Sequence, residues 1–169
     1  MKKVLVLVTA LLLVGVVSLS AKPINVFVNG GMAFSDFEGA FIDLGAEMQI
    51  KGNIWGQVLI DSYLSPSGVD LPAGADESAV GITLYGVYKF GAGNKKFFVK
   101  AGVHSTTYEI SYLGFQVKAT DLGFAGGAGV EIKMSPKMFL LAGGTFKAIF
   151  EGETFSWFKI YVGIGFQVN

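Results

Sequence analysis

The sequence contains no cysteine, no arginine, a single histidine and few charged residues. Without cysteine the chain can form no disulfide, no thiolate metal site, no thiol nucleophile and no lipid-modified N-terminal cysteine. Charged residues make up 15% of the chain and hydrophobic residues 51%, whereas a soluble domain carries about 25% charged residues. The 169 residues suffice for one domain, and that domain's surface would be poorly covered in water.

The N-terminus has the pattern of a secretory signal peptide, with basic residues before an apolar core at residues 4–17. We predict cleavage after Ser20 or Ala21, which gives a signal peptide over residues 1–21 and one domain over residues 22–169. An uncleaved membrane anchor is the alternative. The mature chain then has 11 lysines against 13 acids, and this net charge of −2 gives no basis for nucleic-acid binding.

The C-terminal segment alternates between an apolar face and a face of small or polar residues. Its length matches the roughly 9–11 residues of a tilted strand that crosses a bilayer. Seven similar runs precede it, at about residues 24–34, 40–51, 54–64, 79–90, from 96 onward, up to 134, and 138–150. An open sheet edge is not tolerated in lipid, so the last strand must close on the first. The sequence therefore predicts an all-β fold, an eight-stranded antiparallel transmembrane β-barrel with up-and-down meander order.

The connections alternate between short turns that carry lysine and longer segments that carry acids, the longest at residues 65–78. Short periplasmic turns and longer external loops are typical of bacterial outer-membrane barrels. Aromatic residues near both ends of the apolar face predict two girdles at the membrane interfaces, namely Tyr88, Phe90, Phe97 and Phe166 at one end and Phe34, Phe146 and Phe158 at the other. A soluble, lipocalin-like carrier has the same alternation, but its polar face would carry long charged side chains instead of glycine, alanine and threonine.

The last strand also carries a more specific pattern: a polar residue, a glycine two positions later and two alternating apolar residues, at Tyr161, Gly163, Phe166 and Val168. With this pattern the chain resembles the small eight-stranded outer-membrane barrels, the group of the OmpA transmembrane domain, OmpX/Ail and the opacity proteins. The resemblance implies a monomer in the bacterial outer membrane, inserted by the barrel-assembly machinery through this signal and in contact with lipid and lipopolysaccharide. It implies no single activity, because members serve as anchors, adhesins, pores or lipid enzymes.

Nine charged residues lie on the predicted inner face. An eight-stranded barrel is only wide enough for side chains to fill it, and buried charges need partners. We therefore predict a salt-bridged network that closes the lumen; a narrow gated pore is the alternative. A turn centred on Gly52 places Asp43 opposite Asp61, so we expect Lys147 or Lys159 to separate the two acids, or one acid to be protonated. The predicted network comprises Asp43, Glu47, Asp61, Lys89, Lys100, Glu131, Lys133, Lys147 and Lys159.

The alternation continues through residues 106–119, beyond the predicted membrane span. If the chain turns at Leu113 and Gly114, the two strands form a hairpin that protrudes from the membrane. This hairpin would either cover the barrel mouth or present an adhesive edge to a host or surface ligand; an ordinary folded-over loop is the alternative. Its apolar face is formed by Tyr108, Ile110, Tyr112, Phe115 and Val117.

The only histidine, His104, is predicted on the inner face at the mouth, close to Asp121 and Ser105. Such a set resembles that of lipid A-modifying barrels, but Ser105 points to the opposite face, and no further motif supports catalysis. The sequence indicates no metal site, no cofactor and no enzyme activity. We therefore expect an integral outer-membrane protein with a structural or adhesin-like role; the alternatives are a narrow pore, a soluble carrier and a lipid A-modifying enzyme.

Overall fold

The computed structural model describes residues 22–67, 76–113, 115–150 and 155–168. Every strand pairs antiparallel with its neighbours in chain order, and the last strand pairs with the first, so the sheet is a closed barrel. This confirms the predicted fold class. None of the described residues forms a helix that is long and apolar enough to cross a membrane. The strands are β1 (Ile24–Ser35), β2 (Glu38–Lys51), β3 (Ile54–Ser67), β4 (Asp76–Phe90), β5 (Lys95–Tyr112), β6 (Phe115–Lys133), β7 (Met138–Ile149) and β8 (Ser156–Gln167).

The strands at the loop end are longer than the sequence pattern predicts. Residues 65–78 were expected to be irregular, but β3 continues to Ser67, which pairs with Glu38, and β4 begins at Asp76, which pairs with Ser111. The prediction of irregular structure is wrong for the residues in these strand extensions, because the neighbouring strands continue the hydrogen-bonded ladder beyond the apolar pattern. The predicted signal peptide, the rest of that loop, Gly114 and residues 151–154 lie outside the described residues.

The outer face of the barrel is apolar and ends in aromatic girdles. Tyr88, Phe90 and Phe97 stack in a row, with ring centroids 6.1 and 5.9 Å apart. At the opposite end Phe158 lies between its cross-strand partners Phe34 and Phe146. All these rings are about half exposed, as expected of lipid-facing residues at the two interfaces.

Glycines on the inner face leave room for aromatic rings. Phe27 of β1 lies directly opposite Gly45 of β2, and a Cβ atom at Gly45 would lie 2.2 Å from the Phe27 ring. On β8, the other neighbour of β1, Gly165 lies opposite Phe27 and Phe139, and a Cβ at Gly165 would lie 2.2 Å from the ring of Phe139. The small residues of the polar face therefore allow bulky rings to fill the interior.

Candidate functional site

An ion-paired group occupies the interior between β2, β3, β7 and β8. Asp43 and Asp61 are direct cross-strand partners, as the turn at Gly52 predicts. The Lys159 ammonium lies between them, 2.7 Å from Asp43 Oδ1 and also bonded to Asp61. Lys147 Nζ donates to Asp61 Oδ2 at 2.7 Å and to Thr83 Oγ1 at 2.9 Å. All five side chains are buried, so each charge is compensated within the group.

A second group lies nearer the turn end. Lys89 Nζ lies 2.5 Å from Glu131 Oε2 and also bonds Glu47, so one ammonium bridges two carboxylates. Asn25 Nδ2 donates to Glu47 Oε1 at 2.7 Å. The same ammonium lies 4.5 Å from the centre of the Trp55 ring, which favours the cation electrostatically.

Two of the nine predicted network residues behave differently from the prediction. Lys100 is buried, but no salt bridge joins it to an acid of the described residues; its ammonium lies between the rings of Tyr85 and Tyr161, at 4.6 and 4.9 Å. Lys133 is exposed, so its place in a buried network is wrong. It is the last residue of β6, at the turn end of the barrel, where its side chain is exposed.

A small cavity of about 10 Å³ lies inside the barrel next to Lys100. Its lining includes Asn29 and Gln57, whose side-chain oxygens are buried without a hydrogen-bond partner among the described residues. A cavity of this size holds about one water molecule. The cavity next to Lys100 is therefore a small polar space of about that size.

His104 is buried at the upper end of the interior. Its Nδ1 lies 3.0 Å from Thr106 Oγ1, and its Nε2 lies 3.3 Å from the backbone oxygen of Ala148. Asp121 is the cross-strand partner of Thr106, and Ser105 alternates to the outer face. One ring nitrogen therefore contacts a hydroxyl and the other contacts a backbone carbonyl, which is the environment of a structural histidine.

An aromatic cluster, which we call the mouth cap, lies above His104. Phe37, from the β1–β2 connection, is buried with its ring 4.4 Å from Tyr63 and 5.8 Å from Trp157. Trp157 Nε1 donates to the Tyr63 hydroxyl at 2.8 Å. Tyr108 and Phe155 pack against the same cluster, and burial raises the pKa of the Tyr108 hydroxyl. The sequence does not predict this cap, because its only signal is one aromatic residue, Phe37, in an otherwise polar connection.

The β5–β6 hairpin continues beyond the end of the β6–β7 pairing, and β4 accompanies β5 as far as Asp76 opposite Ser111. Its ladder extends without a register shift to Tyr112 opposite Phe115, with Ile110 opposite Val117. Ile110 and Tyr112 are half-buried, whereas Phe115 and Val117 are 79% and 66% exposed. The lower part of the hairpin, at Tyr108, therefore covers the mouth, while its tip does not.

The polarity of the two hairpin faces inverts at one level. Up to Val103 on β5 and Leu122 on β6 the outer face is apolar and exposed. The next outer residues, Ser105 and Thr120, are polar, and from here the apolar residues lie on the inner side. This inversion marks the upper limit of the apolar belt, so the residues beyond it lie outside the membrane.

One edge of the hairpin has no neighbouring strand among the described residues. Pairing between β6 and β7 ends at Gly123 opposite Ile149, followed by a hydrogen bond from Phe150 N to Leu122 O. Residues 115–121 of β6 pair with β5 only, as far as the described residues show, and residues 115–120 are exposed. An edge of this kind offers unpaired backbone groups to another strand.

The four residues of the proposed insertion signal lie at the closing seam between β8 and β1. Tyr161 is buried in the interior, Gly163 is on the same face, and Phe166 and Val168 are exposed on the apolar face. Val168 N donates to Ile24 O at 2.9 Å. The predicted alternation between the two faces is therefore present, and the role of these residues as an assembly signal stays a prediction.

Comparison with known proteins agrees with this geometry. A family model described as an outer membrane protein beta-barrel domain matches residues 9–156. The chain belongs to this family. Its fold and family place the protein in the bacterial outer membrane. No curated protein sequence matches the chain.

Solved structures of the same fold include three small barrels. Neisserial surface protein A has 17% sequence identity and a TM-score of 0.68, and the match covers 88% of this chain and 97% of that one. The N-terminal barrel of Pseudomonas aeruginosa OprF has 14% sequence identity and a TM-score of 0.62, and the match covers 85% of this chain and 96% of that one. Ail, the attachment invasion locus protein of Yersinia pestis, has 12% sequence identity and a TM-score of 0.59, and the match covers 86% of this chain and 97% of that one. At these identities the likeness concerns the fold.

Proposed function

We propose that the protein is a closed outer-membrane barrel with an adhesin-like role, and that the exposed edge of β6 binds an extended segment of a surface partner. The observation that carries this proposal is the stretch at residues 115–121, which pairs with β5 on one side and with no described strand on the other. An added strand would gain main-chain hydrogen bonds there, and the exposed side chains of Phe115 and Val117 would supply apolar contact.

The strand pairing indicates which backbone groups of β6 could form hydrogen bonds with an added strand. Leu122 O accepts a hydrogen bond from Phe150 N, just after the end of β7, so Leu122 directs its backbone groups away from β5. Because these directions alternate along a strand, Lys118 and Thr120 also direct their N–H and C=O groups to the open edge. A second copy of the edge is a poor partner, since antiparallel self-pairing centred on Lys118 would place two ammonium groups opposite each other.

A proline at Lys118 tests the proposal. Lys118→Pro removes an N–H on the open side and leaves the β5–β6 ladder intact, whereas Lys118→Ala removes the charge and keeps the N–H. The measurement is adherence of a non-adherent bacterial strain that expresses each variant to surfaces coated with extracellular-matrix proteins. We expect adherence by the parent and by Lys118→Ala, and loss with Lys118→Pro. Equal adherence of both variants, or no adherence of the parent, contradicts the proposal.

The closed lumen is the second part of the proposal. It is supported by the two ion-paired groups, the mouth cap and complete burial of Lys147, Asp61 and Trp157. Purified parent protein in a planar bilayer should show no discrete conductance steps. Steady channel openings by the parent would favour the narrow pore instead.

The remaining expectations concern biogenesis and chemistry. We propose removal of residues 1–21, insertion of a monomer through the signal at Tyr161, Gly163, Phe166 and Val168, and contact with lipid and lipopolysaccharide. The absence of catalysis is also proposed, supported by the hydroxyl and carbonyl contacts of His104. N-terminal sequencing of the protein from outer membranes tests cleavage. Unchanged lipid A in cells that express the parent and His104→Ala is expected; a lipid A change that requires His104 would overturn the non-catalytic role.

A further inference from the structure

A cavity of about 150 Å³ opens at the turn end of the barrel, far from the hairpin edge. It lies between the β4–β5 and β6–β7 turns, and Trp55 and Phe139 contribute apolar surface to its lining. Lys96, Lys133 and Lys137 also line it. Since short turns of outer-membrane barrels face the periplasm, the cavity opens to that compartment.

The three lysines are exposed, and none of them forms a salt bridge with an acid of the described residues. Glu131 is the direct cross-strand partner of Lys96, but its Oε2 atom lies 2.5 Å from Lys89 Nζ instead. Glu131 also lines the cavity, but its charge is shared with Lys89. The cavity therefore keeps an excess of positive charge.

The charge around the cavity belongs to a wider asymmetry. Lys22, Lys51 and Lys95 lie at the same end, outside the cavity lining. The described acids near this end are Glu47 and Glu131, which are buried. The exposed and half-buried acids of the described residues lie at the loop end, at Asp36, Glu38, Glu77, Glu109 and Asp121. A single sign of charge around a concave, partly apolar site attracts counter-ions into it.

We propose that this cavity binds the phosphate or carboxylate group of a soluble periplasmic molecule. Its volume suits one such group with part of a ring or chain resting on the apolar surface. Along their strands Lys96, Lys133 and Trp55 alternate with the lipid-facing residues, so the site lies over the barrel axis and not on the lipid-facing wall. A soluble anion reaches this position directly, whereas a lipid headgroup would have to bend over the rim. The proposal is independent of any partner at the hairpin.

Titration of the isotope-labelled full barrel with inorganic phosphate, in zwitterionic nanodiscs at constant ionic strength, tests this site. We expect saturable NMR shifts of backbone amides in the two turns, at Gly93, Asn94 and Lys137. The triple variant Lys96→Gln/Lys133→Gln/Lys137→Gln should bind at least about tenfold more weakly. The matched control Lys22→Gln/Lys51→Gln/Lys95→Gln removes the same charge from the same end and should bind within about twofold of the parent.

Three results would overturn the proposal. Equal weakening in both triple variants would show diffuse attraction by the positive end, without a site. No saturable shift at millimolar phosphate would show that the cavity does not bind an anion. The same shifts in nanodiscs of phosphatidylglycerol without added phosphate would assign the cavity to a lipid headgroup instead of a soluble molecule.

Discussion

The ammonium of Lys147 and the carboxylate of Asp61 lie 2.7 Å apart in the barrel interior, although 86 residues separate them in the chain. Neither side chain is exposed, and Asp61 also bonds Lys159. Lys147 forms no salt bridge with another acid of the described residues, so a change at Asp61 leaves its ammonium uncompensated in a medium of low dielectric constant.

Asp61→Asn should consequently lower the free energy of unfolding by about 3–5 kcal/mol. The measurement is urea unfolding in lipid vesicles, followed by the fluorescence of the buried Trp55 and Trp157. The control Glu38→Gln, at an exposed acid, should change the free energy of unfolding by less than about 0.5 kcal/mol. Adding Lys147→Met to Asp61→Asn should restore part of the loss, because the uncompensated charge is then removed. A double variant no more stable than Asp61→Asn would contradict this account.

Truncating Phe37 should open the mouth cap. Because this ring is 2% exposed and packs on Tyr63 and Trp157, Phe37→Ala should cost about 3 kcal/mol and shift the Trp157 emission to the red as water enters. The lipid-facing Phe34→Ala should cost less and leave the emission unchanged, since Phe34 is 44% exposed. If both variants behave alike, Phe37 is not a packing element of the cap.

A methyl group at Gly45 should be poorly tolerated. The new Cβ would lie 2.2 Å from the Phe27 ring and 2.9 Å from Leu59, so Gly45→Ala should cost about 1–3 kcal/mol. At Gly30, on the outer face, the nearest atom to a new Cβ lies at 3.8 Å, and Gly30→Ala serves as the control. The heat-modifiable gel shift, recorded against temperature, compares the two; a lower transition for Gly30→Ala would refute the packing argument.

Glu77 should make the extracellular end of β4 sensitive to pH. Burial raises the pKa of its carboxyl above the ordinary 4.5, and its Oε2 atom has no hydrogen-bond partner among the described residues. With the folded pKa above the unfolded one, the free energy of unfolding rises as pH falls through the folded pKa, and the gain is complete below the unfolded pKa. Glu77→Gln should remove this part of the pH dependence and stabilise the barrel at neutral pH. Identical unfolding profiles of the parent and Glu77→Gln would contradict the effect.

Period-two alternation was enough to predict which residues face the interior. The tight turn at Gly52 also determines the register, so the pairing of Asp43 with Asp61 could be expected from the sequence. Charge balance then made Lys147 or Lys159 a reasonable partner, and the structure brings both lysines to Asp61.

Alternation does not reveal which partner a side chain reaches across the barrel. Lys100 lies between two aromatic rings. Which side chains it reaches across the lumen depends on strand tilt, and no local sequence pattern encodes that tilt. Lys133 has the correct parity for the interior, but as the last residue of β6 it is exposed at the turn end of the barrel. Phe37 belongs to no strand, so its burial depends entirely on how the β1–β2 connection folds over the mouth.

The pairing of β1 with β8 brings the two ends of the barrel domain together. Asn25 lies opposite Gln167, and Val168 N bonds Ile24 O. In a ring of strands with adjacent ends, no strand is structurally first, so a short linker between these ends would allow the chain to be opened at another connection. A circular permutant opened at the tip of the β5–β6 hairpin should therefore form the same barrel, with new termini at the cell surface.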